Sequence, residues 1–212
     1  MIITRQKDFD YLLKLICNKS VFIAGCSECA TICHTGGEEE VKTLKEKLRD
    51  NNIKVTGTVV LDPACHLNND KRIFRKHSAE IDKSEIILVL ACGNGVQTVS
   101  EIFDDKMIIS GTDTLFLGEI KRANHFEKRC NMCGDCLVES FGGICPVSRC
   151  PKGMLNGPCG GVNNGKCEID NEMNCVWYEI IEKLKKKGDV SRLKEICQPK
   201  KWSNSIERER HI

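Results

Sequence analysis

Between Cys130 and Cys175 the chain has no histidine, and aromatic residues make up only 5% of the whole. A core short of rings must be built from aliphatic side chains. No apolar run approaches the roughly 18 residues needed to cross a bilayer. Neither sign of charge dominates: 32 basic residues face 30 acidic ones, for a net charge of +2, and the two signs are interspersed. That balance argues against nucleic acid or a membrane surface as the main partner. The first twenty residues, MIITRQKDFDYLLKLICNKS, carry charges inside their apolar stretch and lack both a continuous h-region and a small-residue cleavage site. A cytoplasmic protein with reduced thiols is therefore expected. No nucleophile–base motif and no pair of carboxylates in a recognisable frame is present, so no catalytic residue is assigned.

What the chain has in excess is cysteine, 15 in 212 residues. Eight of them fall between Cys130 and Cys175. Thiols at that density serve as disulfides or as ligands for thiophilic metal. The odd total and the expected reducing compartment both disfavour disulfides, which leaves metal binding. A length near 200 allows one large domain or two small ones, and 41% hydrophobic residues lies outside the disordered range.

Two regions differ in pattern. Residues 1–122 alternate strands and helices. Val21-Phe22-Ile23-Ala24 reads as a strand ending at Gly25-Cys26. A helix is expected from about Thr35, with Thr35 and Glu38 at capping-box spacing and Val41, Leu44 and Leu48 on one face. Val55 to Leu61 is a second strand, ending at Cys65, and a helix over about Lys71 to Ile81 follows. Ile86 to Leu90 is continuously aliphatic, as a strand buried on both faces should be. It ends at Cys92, ahead of a helix bearing Val96, Val99, Ile102 and Phe103 and a fourth strand, Met107-Ile108-Ile109. Strands alternating with helices predict a parallel, Rossmann-like sheet with right-handed crossovers. Residues 123–212 read as a small, irregular, Cys-rich metal-binding domain. From 130 to 170 glycines and three prolines replace apolar periodicity, so cross-linking by metal is expected to offset the ordering entropy. An amphipathic helix with Trp177, Ile180, Ile181 and Leu184 on one face should follow Cys175 and stop at Gly188. The last dozen residues read as loose.

The cysteines fall into groups. Cys26, Cys65 and Cys92 each follow a predicted parallel strand, and in an open α/β sheet those strand ends share one ligand-binding edge. With one thiol from Cys29 or Cys33 they would make a four-thiolate site, which suits a [4Fe–4S] cluster. Cys130, Cys133 and Cys136, followed by Cys145-Pro146, resemble the ferredoxin run C-x2-C-x2-C-x3-C-P, with eight residues in the last gap instead of three. Cys145, Cys150, Cys159, Cys167 and Cys175 complete the tail. Eight thiols equal two four-thiolate sites, with zinc an open alternative to iron at the second. Cys17 lies on an apolar helix face with Leu12, Leu13 and Ile16 and is expected in the core. Cys197 is assigned nothing. Cys92-Gly93-Asn94-Gly95 only partly resembles a dinucleotide loop, because Thr98 replaces the third glycine. His34 and His66, each beside a candidate ligand, read as ordinary loop histidines, and His125 has no evident partner.

The segments GCSECATICHTGGEEEV, ending at Val41, and GGICPVSRCPKGMLNGPCGGVNNGKCE, ending at Glu168, together with Cys175-Val176-Trp177, resemble the methylenetetrahydrofolate reductase C-terminal-domain family. That family includes the small iron–sulfur subunit of bacterial methylenetetrahydrofolate reductases. The resemblance implies an accessory, non-catalytic subunit that passes electrons through [4Fe–4S] clusters to the flavin of a catalytic folate-binding barrel. One cluster would lie in the N-terminal domain and one or two in the C-terminal domain, with zinc open at one C-terminal site. The implied partners are that flavin-containing catalytic subunit and a further electron-donor protein. The implied reaction of the complex is reduction of methylenetetrahydrofolate to methyltetrahydrofolate in one-carbon metabolism. These 212 residues contain no such barrel, so the chain alone is not expected to carry out the folate chemistry. A zinc-stabilised interaction subunit of the same complex, without a redox role, is the alternative.

Overall fold

The computed structural model describes residues 1–206. The chain divides into two compact units, Met1–Phe116 and Leu117–Ile212, a few residues before the composition change at 122/123.

In the first unit, β2 (Val21–Cys26), β3 (Val55–Leu61), β4 (Ile86–Leu90) and β5 (Met107–Ser110) form a parallel sheet of order β3-β2-β4-β5. β2 and β4 are buried at every position, because helices cover both faces. On one face α1 (Phe9–Ile16) and α3 (Glu38–Asp50) supply Leu12, Ile16, Val41, Leu44 and Leu48 to Val21, Ile23, Ile86 and Leu88. On the other, α4 (Leu67–Arg75), α5 (Ser78–Ile81) and α6 (Gly93–Ile102) bring Phe74, Ile81 and Val99 onto Phe22, Ile87 and Val89. Between β2 and β3 the short helical turn α2 (Cys29–Ile32) follows Cys26 directly.

Several expectations shift. The helix expected from Thr35 begins at Glu38, with Gly37 as its N-cap. Thr35 is buried and its hydroxyl bonds the Thr4 hydroxyl at 2.6 Å, so it is not free to cap. Glu40 instead accepts from the Gly37 N–H at 2.9 Å. The single helix expected over Lys71 to Ile81 is broken at Lys76-His77 into α4 and α5. The His77 ring lies 5.9 Å from that of Phe22 and bonds Glu80, a tertiary anchor that periodicity cannot reveal. Cys17 is exposed, not core. It caps α1 in the left-handed region and its thiol turns back to the Lys14 carbonyl. A further sheet, β1 (Ile2–Gln6), β6 (Thr112–Arg122) and β7 (His125–Cys130), has the order β1-β6-β7, with β6 and β7 antiparallel.

The second unit has a small core of its own. Phe141, Val176, Trp177, Ile180 and Leu184 are buried together, with Leu137, Ile144, Cys150, Met154 and Cys175 packed against them. Of these buried residues only Phe141 comes from 130–170; the others belong to the helix expected after Cys175. α8 (Val176–Lys187) provides most of that centre and ends at Gly188, whose φ of 68° only glycine adopts freely. α7 (Pro146–Arg149) is a single turn. Within the last dozen residues Trp202–Ser205 is a 3-10 turn, and residues 207–212 lie outside the described residues. Among the described residues no helix is long and apolar enough to cross a membrane.

Candidate functional site: a thiol-lined sheet edge and a cysteine-rich tail

The strand order gives the first site its position. The chain leaves β2 for β3 on one side, then crosses back to place β4 on the other. The edge between β2 and β4 is therefore the switch point of an open α/β sheet, where crossovers diverge and leave a crevice. Cys26 ends β2, Cys92 is the N-cap of α6 just after β4, and Cys65 follows β3. Burial pushes the Cys65 thiol's pKa up, and the thiols of Cys92 and Cys26 push it the same way, as does Asp70. The fold thus brings the thiols of Cys92 and Cys26 within electrostatic reach of Cys65. Their surroundings are small: Ala30, Ala64 and Ala91 pack beside Cys26, and a Cβ on Gly95 would press on Ala91 and Ala64 at 2.9 and 3.0 Å.

Cys29 and Cys33 are held differently. The Cys29 sulfur accepts from the Ile2 N–H at 3.5 Å, and the Cys33 thiol donates to the Ile2 carbonyl at 3.8 Å. Both thus rest against β1, and neither is among the groups acting on Cys65. His66 caps α4, its Nδ1 accepting from the Asn69 N–H at 3.2 Å, which accounts for it as a structural residue. His34, with φ of 53°, stands 3.7 Å from Glu40. The N–H of Gly93 is taken by the Thr114 hydroxyl at 2.8 Å, leaving one fewer donor for a phosphate at that helix start.

Sequence reasoning missed Asp70. It is fully buried on α4 at 0% exposure. Burial pushes its pKa up to about 6, opposed by a backbone hydrogen bond at His66 and by the His66 charge. A lone polar residue in the run Asn68-Asn69-Asp70-Lys71 carries no sign that it faces inward.

In the tail unit the thiols gather at element ends. Cys130 ends β7, and its sulfur accepts from the Met132 N–H at 3.2 Å; the Cys133 thiol donates to the Asp135 carbonyl at 3.5 Å. Cys136 lies exposed just beyond. Asn204 donates to the Gly134 carbonyl at 3.0 Å, and the Lys200 ammonium to the Asp135 carbonyl, so the C-terminal segment clasps this loop. Ser148 donates to the Arg129 carbonyl at 2.8 Å and Asn131 to the Val147 carbonyl at 3.0 Å. Those bonds draw the Cys130 loop to α7, whose N-cap is Cys145 and whose C-cap is Cys150. A second knuckle forms where the Cys167 N–H meets the Met173 carbonyl at 2.9 Å and the Cys175 N–H meets Gly165 at 2.8 Å. Cys159 joins it, its thiol 3.7 Å from Glu168. Cys197 is fixed by two bonds between its backbone and the Asn156 side chain, at 2.7 and 3.0 Å.

Among the described residues, no three His, Cys, Asp or Glu side chains are arranged so that they could hold one metal ion.

Residues 109–203 match the family model described as methylene-tetrahydrofolate reductase C terminal. That part of the chain is similar to this family. The match holds all eight tail cysteines and Cys197, and lies wholly after the Cys26, Cys65 and Cys92 edge. No curated protein and no solved structure matches the chain.

Proposed function

We propose that this chain is an accessory electron-transfer subunit of a methylenetetrahydrofolate reductase, serving the flavin of a separate catalytic subunit. The observation that carries the reading is the placing of Cys26, Cys65 and Cys92 together at the sheet edge, beside a tail of the reductase family. Cys26, Cys65 and Cys92, with Cys29 or Cys33 as the fourth group named by spacing, would hold a [4Fe–4S] cluster there. In the tail, Cys130, Cys133 and Cys136 with Cys145 or Cys150 would hold one metal centre, and Cys159, Cys167 and Cys175 with the remaining thiol another. Bound in these places, iron–sulfur clusters supply one-electron carriers, with potentials set by burial and by hydrogen bonds to sulfur. The chain's own part is to fix the thiols at and just beyond the ends of rigid strands. Such a subunit would work in a compartment that keeps thiols reduced, consistent with the cytoplasm. Reduction of methylenetetrahydrofolate would belong to the catalytic subunit, and a further protein would donate the electrons.

A zinc-stabilised docking subunit is the second reading. It is favoured by the small five-residue core of the tail unit, which leaves room for metal to supply folding energy. Anaerobic purification of the full chain with iron, acid-labile sulfide and zinc quantitation separates the two. The first reading expects iron with matching sulfide, and loss of about four irons per chain in Cys92→Ala with the tail centres still filled. Stoichiometric zinc without sulfide would overturn it, and unchanged iron in Cys92→Ala would break the argument for the sheet edge.

A further inference from the structure

In the tail unit Lys121, Lys128, Arg129, Arg149, Lys166 and Lys183 line one cavity of about 810 Å³. They come from β6, β7, α7, α8 and the loop before Cys167. Three carboxylates share the lining, those of Glu127, Glu172 and Glu179. Arg129 holds Glu127 at 2.7 Å and Arg149 holds Glu179 at 2.8 Å. Glu119, outside the lining, takes Arg129 at 2.6 Å and Lys121 at 3.1 Å. Lys166 donates only to neutral oxygens, of the Asn174 side chain at 2.8 Å and the Glu172 carbonyl at 3.2 Å. Among the described residues neither Lys128 nor Lys183 has a side-chain partner, and both are exposed. Lys128, Lys166 and Lys183 thus face the Glu172 carboxylate alone. In a concave surface such a surplus focuses the field on an incoming anion. The lining has no aromatic side chain, and Ile144 and Met173 are its large apolar residues. It offers no ring on which to stack a cofactor. Its polar character suits a transient contact between proteins. Arg129, Ile144, Arg149, Lys166 and Asn174 of the lining directly adjoin Cys130, Cys145, Cys150, Cys167 and Cys175 in sequence. A partner seated there lies along the segments that carry five of the eight tail thiols.

We propose that this cavity docks an acidic segment of the protein that exchanges electrons with the chain, its carboxylates replacing solvent on Lys128, Lys166 and Lys183. The inference rests on the electron-transfer reading and adds to it the face on which the partner sits. With 32 basic residues against 30 acidic ones the chain as a whole is nearly neutral, so the attraction is local to the cavity. A short acidic protein segment fits that better than a nucleic acid, whose binding needs a long basic surface.

The test titrates the anaerobically purified full chain with a fluorescent synthetic peptide of consecutive glutamates, at low and at physiological salt. Iron, sulfide and zinc are quantified in every sample. One variant is Lys128→Glu/Lys183→Glu, in the cavity. The other is Lys186→Glu/Lys187→Glu, the same charge change on exposed lysines of α8 outside the lining. Wild type should bind the peptide saturably and more weakly as salt rises. The cavity variant should lose about tenfold or more in affinity with its metal unchanged, and the α8 variant should bind as wild type does. Equal weakening in both variants would show net charge alone at work and overturn the proposal. Displacement of the peptide by an equal concentration of inorganic phosphate would also overturn it, by marking a site for small anions. Loss of metal from the cavity variant would overturn it too, since the lysines would then serve to balance thiolate charge. Peptide binding by a wild-type chain that holds no iron or sulfide would leave the docking surface standing and sink the electron-transfer reading beneath it.

Discussion

The two units solve the same problem, holding many thiols in order, by opposite means. In Met1–Phe116 the order comes from a sheet buried on both faces, with twelve residues in each of two aliphatic clusters. Of its thiols, Cys26 at the end of β2 is buried within that core, while Cys65 beyond β3 is exposed. In the tail unit five buried residues form the centre, and Cys150 and Cys175 pack directly against them. There the cysteines cap β7, α7 and α8, so the thiols and the fold depend on one another. If both hold metal as proposed, a site on a rigid sheet should survive its loss, and a site that supplies its own order should not.

Chelation under reducing, anaerobic conditions should therefore separate the units most strongly. If metal contributes folding energy on the scale known for small thiolate domains, on the order of 10 kcal/mol, amide protection over residues 130–175 should vanish while β2 to β5 stay protected. Equal loss in both, read by hydrogen exchange, would break the comparison. Trp177→Ala comes next. Trp177 is 2% exposed, meets Phe141 edge-on at 5.4 Å and donates to the Met154 carbonyl at 3.0 Å. Its truncation should cost about 3–5 kcal/mol, confined to the tail unit's denaturant transition, and a matching fall in the sheet's stability would contradict that confinement.

Gly36→Ala probes the other side. A Cβ there would collide with the Leu90 carbonyl at the end of β4, and Cys26 donates its N–H to the Gly36 carbonyl at 2.8 Å. About 1–3 kcal/mol should be lost from the first unit, and the cluster proposed for the sheet edge should retain less iron while the centres proposed for the tail keep theirs. An unchanged midpoint would show that the loop yields easily. The smallest effect is Asn156→Ala. Removing its two bonds to Cys197 should cost the tail unit about 1–2 kcal/mol and raise exchange around residue 197, and a silent variant would mean solvent replaces both bonds.

Strand β4 was legible to the residue, because an uninterrupted run of aliphatic residues between Ser84-Glu85 and Ala91-Cys92 admits little else. β3 was equally plain. β1 was not, since Ile2-Ile3-Thr4 is short and runs straight into charged residues. The β6–β7 hairpin was missed although Asn124, at φ of 60°, is the kind of residue that turns a hairpin. The Cys-rich loops hid a core that Phe141 and Trp177 build from 36 positions apart, a separation no local period reports. Thr35 and His77 misled because their side chains serve distant partners, Thr4 and Phe22.

The sequence by itself determined that a thiol would follow each of three successive strands, since hydrophobic runs end where the chain must leave the core. It also determined that eight thiols would crowd into residues 130–175 of the tail, where apolar periodicity is weak. Only the tertiary structure decided that β4 lies against β2, and so that Cys92 and Cys26 flank one crevice with Cys65 at its side. Strand order depends on which way each crossover passes, and apolar patterning is the same for either path. Only the fold, likewise, turned Asp70 inward, because a helix's buried face is chosen by what packs over it and not by the polarity of one residue.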